Sequence, residues 1–190
     1  YKRQLKLASC GKATSRMEVK IDSPDPQNVA GEIICKGANL MLGYYKNAEA
    51  TSQIIDVSGW LHTGDLATMD TEGYVTVRGR SKNMLLTASG QNIYPEEIES
   101  KLNNMPYVSE SLIVLQKDKL VALIYPDFDD AFAHGMEQSD IEKVMEDNRN
   151  ELNLQLPAYC QITKVKIHFE EFEKTAKKSI KRFMYQEVKG

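Results

Sequence analysis

The chain has 190 residues, with 27 Asp plus Glu against 24 Lys plus Arg and a formal net charge of −3. With 42% hydrophobic and 27% charged residues it reads as one globular domain, or two small ones, able to bury a core. The mild acidity argues against a nucleic-acid binder built on phosphate contacts, and the longest apolar run, Leu120–Tyr125, falls far short of the ~20 residues that cross a bilayer. Three cysteines, Cys10, Cys35 and Cys160, are odd in number and lack zinc-ligand spacing, so a reduced, cytoplasmic compartment is expected. No apolar signal region leads the chain, and a strand-like pattern is already under way near its start, as in a piece cut from a larger protein.

In chain order, the first eighty residues are punctuated like β structure. Met17–Ile21 alternates, Gly31–Gly37 is a short apolar run between glycines, and Gly73–Gly79 alternates again. Turn clusters at Asp22–Pro26 and Asp70–Gly73 separate these runs, and one helix is expected over Asn47–Ile55. The second half changes character. Pro95–Leu102 opens with a first-turn proline and acids near the positive end of the dipole, a helix start. Ser109–Gln116 and Lys119–Tyr125 are strands joined by Lys117 and Asp118 in a hairpin. Ser139–Leu152 has helical apolar spacing, and Gln161–Phe169 alternates as a third strand. Helix, strand, strand, helix, strand describes a compact α+β domain, with the boundary expected near Arg80 to Asn83.

Three stretches carry chemistry, each with a plainer reading. In Gly59–Leu66, a loop with Thr63 and Gly64 can present the Asp65 carboxylate to both hydroxyls of a ribose diol, or Asp65 can close an Asx-turn on its own backbone. In Gly73–Glu99, Arg80 can fork to phosphate or ribose oxygens, or be a solvated arginine at a strand end. Gly90 can let a backbone approach a ligand, or simply make a turn. In Lys174–Arg182 five of nine residues are cationic and none is acidic, which suits either developing phosphate charge or a solubilising face. The P-loop, the dinucleotide glycine fingerprint, HExxH and GxSxG are missing. His62, His134 and His168 are scattered, so neither a metal site nor a His-based triad is indicated.

Taken in order, these stretches resemble the C-terminal portion of the adenylate-forming superfamily of acyl-CoA synthetases, luciferases and peptide-synthetase adenylation domains. Gly31-Glu32-Ile33, Gly37 and Gly43-Tyr44-Tyr45 match its GE(L/I), G and GY elements, and Gly59–Asp65 matches GW(L/F)xTGD. Gly79-Arg80-Ser81-Lys82, Gly90 and Ile93–Glu99 match GRx(D/K), G and IxPxEIE. The Tyr94–Glu99 spelling and the Lys174–Arg182 ending look most like long-chain fatty acid–CoA ligases.

The resemblance implies an α+β chain: residues 1–80 as a β-rich remnant of the large-domain barrel, then 81–190 as a small mobile C-terminal lid. It implies ATP and Mg2+ as cofactors, a fatty acid and coenzyme A as substrates, and an acyl-AMP intermediate. Asp65 would hold the ribose hydroxyls, Arg80 would contact ribose or phosphate, and Lys82 would be the hinge. Ser89, Gly90 and Gln91 would form the loop that faces the active site during thioester formation. The family's catalytic lysine position falls on Ser179, whose neutral hydroxyl cannot replace an ammonium, so the adjacent Lys178 is the substitute. In an extended segment Lys178 would point away from the face of Ser179 and Lys177, and would need a bulge or a one-residue slip. The upstream phosphate loop would lie on a missing N-terminal domain, so the isolated fragment is expected to be inactive, and peripheral membrane association of the full-length enzyme is left open. The alternatives are a short-chain or aryl acid ligase, or a non-catalytic lid that serves as an interaction module.

Overall fold

The computed structural model describes residues 6–186. They fall into two units that divide between Asn83 and Met84. The first unit is a four-stranded antiparallel sheet, β1 (Met17–Asp22), β2 (Gly31–Gly37), β3 (Leu61–Met69) and β4 (Val75–Arg80), paired in sequence order. Among the described residues this sheet is open; no barrel closes. Its small core is Ile21, Ala67 and Val75, with Val19, Ile33 and Met69 packed against them. A short helix, α1 (Ala48–Ile54), is capped by Asn47, whose Oδ1 accepts from the Ala50 N–H at 2.9 Å, and it buries no residue. The alternating stretch at 17–21 and the apolar run at 31–37 are strands as expected. The loop expected at Thr63 and Gly64 is instead part of β3, although the two residues interrupt its apolar pattern. Two register shifts, between Glu32 and Ile34 against β3 and between Leu66 and Ala67 against β4, let this interrupted segment stay in the sheet.

The second unit begins with a two-residue pair, β5 (Leu85–Leu86) and β6 (Asn92–Ile93), then α2 (Pro95–Leu102). Proline at the start, Glu96 and Glu97 in the first turn and Lys101 in the last all favour a helix here. Its buried face is Pro95, Ile98, Glu99 and Leu102, the spacing of one helical stripe. The strands β7 (Val108–Gln116) and β8 (Lys119–Pro126) form the expected hairpin, and Lys117 and Asp118 both adopt positive φ, as a type I′ turn requires. Two helices, α3 (Phe128–Ala133) and α4 (Gln138–Gln155), carry the chain across to β9 (Lys164–Ile167), which pairs parallel to β8. A parallel return needs such a crossover.

The three strands lie in the order β7-β8-β9, and alternate residues of β7 and β8 face opposite sides. On one side Ile113, Ala122 and Ile124 pack with Ile98 and Leu102 of α2 and Ile141, Met145 and Leu152 of α4. Truncating a fully buried member such as Leu102 to alanine costs about 2–5 kcal/mol. On the other side Leu112, Val114, Val121 and Leu123 are covered by Phe172, Ile180 and Tyr185 from the C-terminal segment. That segment is therefore packed onto the sheet and is no loose tail. Among the described residues no helix is long and apolar enough to cross a membrane.

Candidate functional site

In the first unit, pairing of β3 with β4 sets Asp65 opposite Arg80. Arg80 Nε lies 2.8 Å from Asp65 Oδ1, and its Nη1 donates to the Thr63 carbonyl at 3.3 Å. With 53% and 32% of the two side chains exposed, water screens the pair, and its contribution to stability is about 0–1 kcal/mol. Its consequence is positional: the Asp65 carboxylate is held beside a guanidinium. It closes no Asx-turn; the Asp65 N–H instead donates to Thr63 Oγ1 at 3.1 Å.

The segment carrying Asp65 is held by a residue the sequence did not single out as functional. Glu32, on β2, accepts from the Gly64 N–H through Oε1 at 2.8 Å and lies 2.8 Å from His62 Nδ1 through Oε2. Gly64 has φ +73°, and an added Cβ would meet only Arg80 Nη1 at 3.9 Å, so backbone conformation, and not space, calls for glycine there. The hydrogen bond to Glu32 holds the His62 pKa above its ordinary value, with Asp56 and Asp22 adding to the effect. Glu32 was legible only as part of a motif, since its partners lie 30 and 32 residues away.

Four hairpin loops share one skeleton. In Asp56–Trp60, Asp70–Tyr74, Thr87–Gln91 and Thr175–Ser179, the first residue's carbonyl accepts from the fourth N–H, and its N–H donates to the fifth carbonyl. In each, the first side chain accepts from the fifth N–H, at 3.0, 2.9, 3.0 and 3.3 Å respectively. The fourth residue is left-handed in every case. Gly59, Gly73 and Gly90 occupy that place in three loops, and Lys178, at φ +60°, occupies it in the last. This is the three-residue hairpin loop that ends in a left-handed residue.

The sequence-derived candidates distribute over this framework. Asp65 and Arg80 are brought together. Lys82 is exposed in a 3-10 turn, Ser81–Asn83. Ser89, Gly90 and Gln91 are exposed in the second-unit loop between β5 and β6, where Thr87 Oγ1 lies 2.9 Å from Ser89 Oγ. Lys178 and Ser179 lie in the hairpin closed by the Lys174–Ile180 bridge. The segment is a turn, and Thr175 offers both a carbonyl and a hydroxyl to the returning N–H groups. Lys178 takes the left-handed place in this turn, at φ +60°.

Both flanks of this hairpin are anchored. Lys174 Nζ lies 2.9 Å from Glu110 and 3.1 Å from Glu171, and those two carboxylates hold its pKa above the ordinary value. Lys181 pairs with Glu173 at 3.3 Å. Arg182 forks onto Glu99 of α2, its Nη1 at 2.8 Å from Oε1 and its Nη2 against Oε2. Glu99 is only 7% exposed, and its Oε1 also accepts from the Ile113 N–H at 2.7 Å. Burial pushes the Glu99 carboxyl up, against the opposing pull of Arg182. Among the described residues no ion pair holds Lys177 or Lys178, and both are exposed at the loop tip. No group of three or more His, Cys, Asp or Glu side chains among the described residues could hold a metal ion.

The profile of the family described as "AMP-binding enzyme C-terminal domain" matches residues 82–187, and the chain belongs to that family. It is 36% identical over 120 residues to a long-chain-fatty-acid–CoA ligase of Gallus gallus, covering 63% of this chain and 16% of that protein. It is 40% identical over 117 residues to 2-succinylbenzoate–CoA ligase of Bacillus cytotoxicus, covering 60% and 24%. Among solved structures, o-succinylbenzoate CoA synthetase of Bacillus subtilis with its acyl-adenylate superposes with a TM-score of 0.75 at 26% identity, over 95% of this chain and 36% of that one. The same enzyme with ATP and magnesium gives 0.74 at 27% identity, over 94% and 35%. The chain thus spans well under half the length of the relatives it matches.

Proposed function

We propose that this chain works as the C-terminal part of an ATP-dependent long-chain fatty acid–CoA ligase, the residues before Ser81 ending its large domain and the rest forming a mobile lid. In the first half-reaction a carboxylate oxygen attacks the α-phosphorus of ATP, the bond to pyrophosphate breaks, and acyl-AMP forms. In the second, the thiol of coenzyme A loses its proton and attacks the acyl carbon, and AMP leaves. Asp65 accepts from the ribose hydroxyls, in charge-assisted bonds worth roughly 1.5–3 kcal/mol. Arg80 steadies that carboxylate and reaches ribose or phosphate oxygens. Lys82 is the hinge; an exposed residue in a short turn can absorb a backbone change. The Ser89–Gln91 loop serves the thioester step. Lys178 supplies the cation that relieves repulsion between the anionic acid and the anionic α-phosphate.

The observation that carries this reading is Lys178 itself. A lysine occupies the left-handed position that three sister loops give to glycine, at a backbone cost of about 1–2 kcal/mol. Strain of this kind concentrates where a side chain is used. Mg2+ belongs to the ATP of this reaction; the described residues offer it no ligand cluster, and no step is assigned to a metal on this chain. The long-chain preference is supported by the ligases of Gallus gallus and of Escherichia coli, the latter 46% identical over 89 residues. The relatives that act on 2-succinylbenzoate and 4-coumarate favour a second reading, an aryl acid substrate. We place the enzyme in the cytoplasm. Acid-dependent ATP–pyrophosphate exchange by the full-length enzyme across both acid classes decides between them; exchange driven by aryl acids alone contradicts the fatty acid assignment.

A further inference from the structure

Arg182 lies 83 residues from Glu99 in sequence, yet the two form a largely buried ion pair, with 16% and 9% of their side chains exposed. Glu99 joins three pieces at once: α2, which carries it, β7 through the Ile113 N–H, and the C-terminal segment through Arg182. The guanidinium fork fixes direction as well as distance, because both nitrogens must meet both oxygens. Arg182 follows Ile180, the bridge residue that closes the hairpin, by two residues, and Ile180 packs onto the sheet. On the opposite strand Lys174 is tied to Glu110 of β7. The hairpin thus has a fixed register against the body of its unit, and only its tip projects.

We propose that Arg182 is a positioning residue for adenylation: through Glu99 it sets where the hairpin presents Lys178. This rests on the role given to Lys178 above and extends it to a residue far from the reacting atoms. A one-residue shift of the segment would carry Lys178 out of the left-handed position and re-aim its ammonium; the fork forbids that shift. The Ser89–Gln91 loop is tied by bonds within the five residues Thr87–Gln91, so losing the fork leaves the thioester step in place.

The test is a double-mutant cycle in the full-length enzyme, assayed for acyl-AMP formation and, separately, for thioester formation from supplied acyl-AMP. Arg182→Gln is expected to slow acyl-AMP formation at least tenfold and leave thioester formation within twofold. In a Lys178→Ala background the same change is expected to cost almost nothing further, because the group it positions is gone. Should Arg182→Gln fail to fold, Arg182→Lys keeps a charge against Glu99 without the fork and is expected to show a smaller loss confined to the same step. Additive losses, or equal slowing of both steps, would overturn the positioning role while leaving Lys178 intact as the cation. A Lys178→Ala enzyme with undiminished acyl-AMP formation would overturn both readings at their root.

Discussion

The loops Thr87–Gln91 and Thr175–Ser179 belong to the same unit and close with the same set of backbone bonds, yet they differ at one residue that matters. Gly90 takes the left-handed position in the first at no steric cost, whereas Lys178 takes it in the second against its own preference. The surroundings differ accordingly. The first loop hangs on a two-residue strand pair and is held by Thr87. The second is clamped on both flanks by ion pairs and by Phe172, Ile180 and Tyr185 on the sheet. A strained residue persists only where its surroundings over-determine it, so the clamps and the strained lysine belong together.

The largest expected effect comes from loosening the clamp. Arg182→Ala strands a buried carboxylate and should destabilise the second unit by about 3–5 kcal/mol, read from denaturant unfolding. The corresponding change in the first loop, Thr87→Val, removes one exposed hydroxyl acceptor and should cost about 0.5–1.5 kcal/mol. Similar losses for both would erase the contrast between a clamped and an unclamped loop.

Exchanging the tip residues gives smaller shifts of opposite sign. Gly90→Lys meets open space, so its cost is conformational; a left-handed penalty of about 1–2 kcal/mol is offset by the ~0.5–1 kcal/mol that glycine loses on folding. A net loss of about 0.5–1 kcal/mol is expected. Lys178→Gly should stabilise by a similar amount. Thermal melts of the two variants should therefore move apart, and movement in one direction would mean the loops are not equivalent in backbone.

The smallest effect concerns the first unit and pH. His62 faces Glu32 on β2, Asp56 after α1 and Asp22 on β1, and Glu32 chiefly raises its pKa. A raised imidazole pKa adds stability that is full below the ordinary value of 6.5 and is lost as pH rises through the folded value. Unfolding followed from pH 6 to 8 should show this loss, and Glu32→Gln should flatten it. An unchanged slope in Glu32→Gln would remove Glu32 as the partner that matters.

Much of this architecture is written locally. Pro95–Leu102 reads as a helix because proline, acids and a four-residue apolar stripe agree, and Lys117-Asp118 reads as a turn because two apolar runs flank it. The strand β3 escapes because Gly64 and Thr63 suppress its pattern; only the partners on β2 and β4 make it a strand. The helix α3 escapes because six residues give barely two turns of periodicity, and its cap, Asp127 accepting from Asp130, is indistinguishable from an ordinary turn. At the site, Asp65 and Arg80 were each legible, but their pairing depends on strand register. Glu32 and Glu99 were not legible as site residues, because a carboxylate's role is set by partners 30 to 83 residues distant. The hairpin at Lys178 carries no glycine to announce its turn, which rests on Thr175 and the Lys174–Ile180 bridge instead.

The central claim is that the strained lysine is there for its charge. Lys178→Gly separates charge from backbone, since it deletes the ammonium while easing the conformation of the loop. Acyl-AMP formation by the full-length Lys178→Gly enzyme should fall at least tenfold, about 1.4 kcal/mol, with thioester formation from supplied acyl-AMP largely spared. An adenylation rate equal to that of the parent enzyme would contradict the account.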